Sequence, residues 1–142
     1  MKRLKFKFLL VFLMVAAGVP ALTGCMTATP KPGETFSCAK ASDIHKEIAP
    51  EASLEDLSCV IKPYEGADSL HFNVAVKNIS PKDQRFRVQI FLSNGKSAGG
   101  LIPEKIKDGL VKPGQTAKFT YPVTGMNHSP ESIDLFIKTM AQ

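Results

Sequence analysis

The residues of this 142-residue chain that could carry chemistry are few: three cysteines, three histidines and five methionines. Cys25, Cys38 and Cys59 supply thiols, and His45, His71 and His128 supply bases whose charge changes near neutral pH. Nucleophilic catalysis needs a Ser or Cys within hydrogen-bond reach of a base that an acid orients, and no Gly-x-Ser-x-Gly or comparable elbow occurs. A hydrolase therefore rests on no motif, and the expectation is a non-enzymatic chain with no catalytic residue and no cofactor. Met126-Asn127-His128 is the one cluster with ligand character, because a thioether beside an imidazole suits copper. Such a site needs further donors, and only Met140 and Met26 are candidates, whereas Gly125, Asn127, Ser129 and Pro130 read as an ordinary loop. Met126 and His128 are thus weak metal candidates. His71 on the polar side of an alternating segment, and Asp43 with His45 on a surface segment, read as solvated positions.

The chain opens with Lys2, Arg3, Lys5 and Lys7, an apolar run over residues 8–19, and Leu22-Thr23-Gly24-Cys25, which is a signal-peptide pattern. The run is twelve residues long, whereas crossing the hydrocarbon core takes about 20, and Pro20 and Gly24 follow at once. The tetrapeptide resembles the lipobox of bacterial lipoproteins, which implies cleavage before Cys25, diacylation of its sulfur and acylation of its new amine. Two or three acyl chains, at about 0.8 kcal/mol per buried methylene, hold a protein on a membrane almost irreversibly. Met26, where an aspartate would signal inner-membrane retention in enteric-type sorting, implies an outer-membrane anchor and a periplasm-facing domain. In that oxidising compartment Cys38 and Cys59 remain as an even pair. A disulfide is the first reading, since neither Cys-x-x-Cys spacing nor a nearby Cys/His cluster supports the rival redox or metal pair. Asn78-Ile79-Ser80 and Asn127-His128-Ser129 fit the glycosylation sequon, which a bacterial leader sets aside.

The formal charge of +5 and pI near 9.2 suggest an anionic partner until the leader is removed. Without residues 1–24, fourteen cations face thirteen acids, a net of +1, so nucleic acid is not expected as a partner. At 44% hydrophobic and 22% charged residues, the remainder suits one folded domain and excludes both a two-domain enzyme and a wholly disordered chain.

The organisation expected is a leader over 1–24, the lipidated cysteine and a Pro/Gly-bearing tether over 25–35, an irregular or short helical segment over 36–56, and a β-sandwich over 57–142. Ala41, Ile44 and Ile48 recur at helical spacing between Ser42, a candidate N-cap, and Pro50, which predicts a short helix over 42–49. From Leu57 the period becomes two: Leu57, Cys59 and Ile61; Leu70, Phe72, Val74 and Val76; Phe86, Val88, Ile90 and Leu92; Ala117, Phe119 and Tyr121; Ile133, Leu135 and Ile137. Residues 96–105, with Gly99-Gly100 and Pro103, permit a short edge strand or loop, and 106–111 a further strand. Asn94-Gly95 and Lys112-Pro113-Gly114-Gln115 are turn signals. The result is six or seven short strands in an antiparallel sandwich.

Val76-Lys77-Asn78-Ile79-Ser80, residues 86–96 with Asn94-Gly95, residues 110–115 with Pro113-Gly114, and residues 133–137 resemble the immunoglobulin-like core of small bacterial envelope lipoproteins, the YcfL-like family. The resemblance spans residues 69–139 and implies a lipid-anchored, non-catalytic envelope domain, an accessory or adaptor module for another envelope protein. The alternative is a periplasmic lipoprotein that captures a metal ion or small solute through the 125–130 loop. Alternation supplies one further expectation. Phe91 and Phe136 fall on the polar sides of their strands, with Arg85 and Arg87, and together have interface composition. Either the segment over 36–57 folds across that sheet and buries them, or they form an exposed face that docks a partner.

Overall fold

The computed structural model describes residues 30–104 and 109–140. The leader, Cys25, Met26 and the first part of the tether lie outside the described residues. Eight strands form two four-stranded sheets packed face to face. They are β1 (Thr35–Phe36), β2 (Ile44–Ile48), β3 (Ala52–Tyr64), β4 (Ala67–Asn78), β5 (Phe86–Leu92), β6 (Ser97–Ile102), β7 (Thr116–Val123) and β8 (Ile133–Thr139). Sheet A has the order β1-β3-β4-β7, and sheet B the order β2-β8-β5-β6. Each alternating run of the sequence became a strand, and the Gly-Gly segment became β6. Of the strand expected over 106–111, residues 106–108 lie outside the described residues, and Val111 forms an isolated bridge with Gln84.

The period of two decides the packing, because successive side chains leave a strand on opposite faces. Phe72, Val74 and Val76 of β4 face Val88, Ile90, Leu135 and Ile137 of sheet B across one buried core. Asn94-Gly95 turns β5 into β6 with Gly95 at φ 79°, closed by Leu92 N–H to the Lys96 carbonyl at 2.9 Å. Cys38 and Cys59 are both buried and form a disulfide with Cα atoms 5.0 Å apart. It closes a separation of 21 residues, which contributes about 3 kcal/mol on the chain-entropy model. The bridge fastens the stretch between β1 and β2, which is poor in core of its own, onto β3.

The helix expected over 42–49 does not form. One 3-10 turn at Ala41–Asp43 leads into β2, which pairs parallel with β8 in the register Ile44↔Ile133 and Ile48↔Ile137, so sheet B is mixed rather than antiparallel. A spacing of four between Ile44 and Ile48 satisfies both a helix face and one side of a strand. An isolated helix of eight residues is too short to persist, whereas the open edge of β8 offers a full ladder of hydrogen bonds. Lys46 takes the core-facing parity between the two isoleucines yet remains exposed at the edge, a placement that discourages pairing with another strand.

At the far end of β4, Asn78 is fully buried and fully bonded. Its Nδ2 donates to the Lys82 and Val111 carbonyls at 2.6 and 2.8 Å, and its Oδ1 accepts from Ser80 N–H and Ser80 Oγ at 2.9 and 2.8 Å. Its own N–H donates to the Gln115 carbonyl, and its carbonyl accepts from Gly114 N–H. The first sequon asparagine is thus a core group. Replacing its amide by a carboxyl (Asn78→Asp) faces two buried carbonyls with an acceptor. The expected loss is about 3 kcal/mol or more, read as a fall in melting temperature of roughly 10 °C or more, with Asn127→Asp on the surface as the control.

Candidate interaction face

Strand register brings the outward side chains of sheet B into a grid. One row holds His45, Asp134, Phe91 and Ser97; the next holds Glu47, Phe136, Gln89 and Gly99; the third holds Lys138, Arg87 and Leu101. Phe91 and Phe136, 45 residues apart in sequence but on paired strands, meet edge to face with ring centroids 5.9 Å apart. Phe91 is 44% exposed, and Phe136 is half-buried between Phe91, the His45 ring at 6.5 Å and the Lys138 ammonium at 5.9 Å. The segment over 36–57 does not fold across this sheet as one expectation had it. Its strand β2 lies beside β8 in the same layer and lengthens the face instead of covering it.

The charges on the β2/β8 half are matched. His45 Nδ1 lies 3.7 Å from Asp134 Oδ1, and Lys138 Nζ lies 3.4 Å from Glu47 Oε1. All four side chains are well exposed, so each pair contributes little to stability. Sequence placed His45 beside Asp43; in the fold Asp43 accepts from Ser42 Oγ at 3.0 Å, and Asp134 of β8 takes the imidazole. Arg87 is exposed. Arg85, one residue before β5, is half-buried, and its Nε and Nη2 are shut off from water without an acceptor.

Beside this column lies a trough of about 280 Å³, which sequence reasoning missed, lined by Arg87, Gln89, Phe91, Ser97, Gly99 and Leu101. Its only signal was Gly99-Gly100. At Gly99 φ is 151°, and a Cβ there would collide with the Val88 carbonyl oxygen, so the floor is bare backbone. Gly100 is open on the other side to the ring of Tyr121, whose Cε1 would sit 3.0 Å from an added Cβ. Burial, with Glu104 nearby, pushes the Tyr121 phenol well above its usual range.

The outer face of sheet A is different in kind. Ser58 Oγ donates to Asp56 at 3.0 Å, Asn73 donates to Ser58 at 3.5 Å, and Thr120 donates to Asn73 at 3.0 Å, so the polar groups across β3, β4 and β7 satisfy one another. His71 belongs to this face but is only 4% exposed, contrary to the solvated position expected. The Tyr64 ring stands edge-on at 5.8 Å, and Nδ1–H donates to the Ser69 carbonyl at 2.9 Å. Desolvation lowers its pKa, with a further lowering from Lys62, and outweighs the opposing hydrogen bond.

The weak metal candidates are not brought together as a donor set. Met126 is buried in the core, its sulfur accepting from Asn94 Nδ2 at 3.6 Å, while His128 is exposed and sits 3.5 Å from Asn127 Oδ1. Among the described residues no group of three or more His, Cys, Asp or Glu could hold a metal ion. Comparison with protein-family models, curated proteins and solved structures returns no match.

Two expectations follow from this geometry. Phe91→Ser and Phe136→Ser each lose an aromatic pair and little else, so thermal melts should show costs of about 1 kcal/mol, against about 3–5 for Phe72→Ala in the core; a loss of core size at either position would mean a covering segment. For His71 the folded pKa lies below the unfolded value near 6.5, so the unfolded chain binds the extra proton as pH falls. Stability should therefore be level above about pH 7.5 and decline below about 6.5. His71→Gln should flatten that slope in denaturant titrations at several pH values.

Proposed function

We propose that this chain is a non-enzymatic, lipid-anchored protein of the bacterial cell envelope, an accessory module of the YcfL-like kind that docks another envelope protein through the outer face of sheet B. On this reading Cys25 carries the lipid, the outer membrane holds it, and an immunoglobulin-like sandwich hangs on a short periplasmic tether. The observation that carries the docking role is the Phe91–Phe136 pair: two aromatic rings in edge-to-face contact, open to solvent, on a face whose β2/β8 charges are already paired. Aromatic and arginine side chains are enriched in interfaces because they bring large contact area with few rotatable bonds. The polar ladder on sheet A offers nothing equivalent, since its groups are satisfied internally.

One experiment tests anchor and face together. Cells expressing the full-length chain, with a photo-crosslinking phenylalanine analogue at position 91 or at exposed position 118 of sheet A, are fed an alkynyl palmitate analogue and irradiated. The expected result is lipid label on both forms, protein adducts from position 91 and none from 118, and no label on Cys25→Ala. Label persisting on Cys25→Ala would remove the anchor; adducts equal from both positions would remove the face.

A further inference from the structure

The outer face of sheet B is divided in charge. On its β2/β8 half His45, Asp134, Lys138 and Glu47 are paired among themselves. On β5 the cations are not. Arg87 is exposed with no ion pair among the described residues, and the Nε and Nη2 of Arg85 are desolvated without an acceptor. Arg85 shares the outward parity of Arg87 and is half-buried, so its charge adds to that of Arg87 on this line. Alternation sets Arg85, Arg87, Gln89 and Phe91 in one line along β5, about 20 Å from end to end. Next to this line runs the trough over Gly99, bounded by Phe91 and Ser97 at one end and by Arg87 and Leu101 at the other. The backbone floor that Gly99 enforces gives it depth for one large apolar side chain.

We propose that this line binds an extended acidic segment of a protein partner, with an apolar side chain seated over Gly99 and carboxylates pairing with Arg87 and Arg85. The inference rests on the docking role of this face and specifies its partner. The spacing follows from the register: Gly99 stands opposite Gln89, two residues and about 7 Å along the strand from Arg87, so the acid and the apolar anchor should stand about two residues apart. A guanidinium takes a carboxylate in two parallel hydrogen bonds, which gives the pairing direction as well as charge. The occupant is a single strand and not an anionic membrane because the cation beside Arg87 on β8, Lys138, is already paired with Glu47. Asp134 adds a further carboxylate on β8, so the strands beside the line offer a uniformly negative surface no net positive charge.

Fluorescence anisotropy on the full-length protein in mild detergent decides the matter. The probes are a labelled nine-residue peptide with Glu at positions 1 and 3 and Phe at position 5, and its counterpart with Lys in place of Glu. The acidic peptide should bind at least tenfold more tightly than the basic one. Arg87→Glu, at an exposed position where folding is not at issue, should weaken the acidic peptide tenfold or more and strengthen the basic one, and Phe91→Ser should weaken the acidic peptide. Absent binding of the acidic peptide, equal binding of both, or indifference to Arg87→Glu would overturn the proposal. Arg87-dependent binding of Cys25→Ala protein to phosphatidylglycerol vesicles, with neither peptide bound, would overturn it in favour of lipid. Adducts from position 91 in cells, without acidic-peptide binding, would leave the docking face standing and remove only the acidic occupant; loss of both would remove both.

Discussion

The two sheets are held in their relation by one side chain that has no freedom left. An asparagine amide carries two donors and a carbonyl with two lone pairs, and Asn78 uses all four, together with its main-chain N–H and carbonyl. It stands where sheet A ends and the chain leaves for sheet B. Through Ser80 and Lys82 it shapes the connection into β5, and through Val111, Gly114 and Gln115 it fixes the approach to β7. Without that clamp the loops at this end would carry buried main-chain groups with no partners, each costing about 1–3 kcal/mol. The hydrophobic effect brings the two sheets together, but it is not directional; the amide decides how the connections between them run.

From that frame the candidate interaction face follows with few additional choices. β5 and β8 are central strands of sheet B, so their inward residues are committed to the core and their outward residues to one shared surface. Antiparallel pairing places Phe91 opposite Asp134 and Gln89 opposite Phe136, a diagonal that lets the two rings meet. The addition of β2 then supplies His45 and Glu47, which pair with Asp134 and Lys138. Arg87 of β5 keeps its positive charge without an ion pair among the described residues, beside the backbone floor at Gly99.

The two outer faces contrast in how their side chains are used. Sheet A spends its serines, asparagine and threonine on one another, and even His71 is folded under Tyr64 and bonded to Ser69. A surface with its hydrogen bonds already made gains little from a partner. Sheet B instead presents aromatic area, a trough and the exposed guanidinium of Arg87.

By itself the sequence determined which residues point inward and which outward in every alternating strand, where the Asn94-Gly95 hairpin turns, and that Cys38 and Cys59 form a pair, because these depend on a period of two, on local turn chemistry and on a count of thiols. It also singled out Phe91 and Phe136 as breaks in the polar pattern. The tertiary structure alone decided that residues 44–48 form a strand, since the spacing of Ile44 and Ile48 satisfies two periods and only the open edge of β8 separates them. The capture of His45 by Asp134 was likewise settled by strands distant in sequence and adjacent in space. A residue's face is a local property of its strand; its neighbours, and hence its charge state and exposure, belong to the pairing of strands that the sequence order does not reveal.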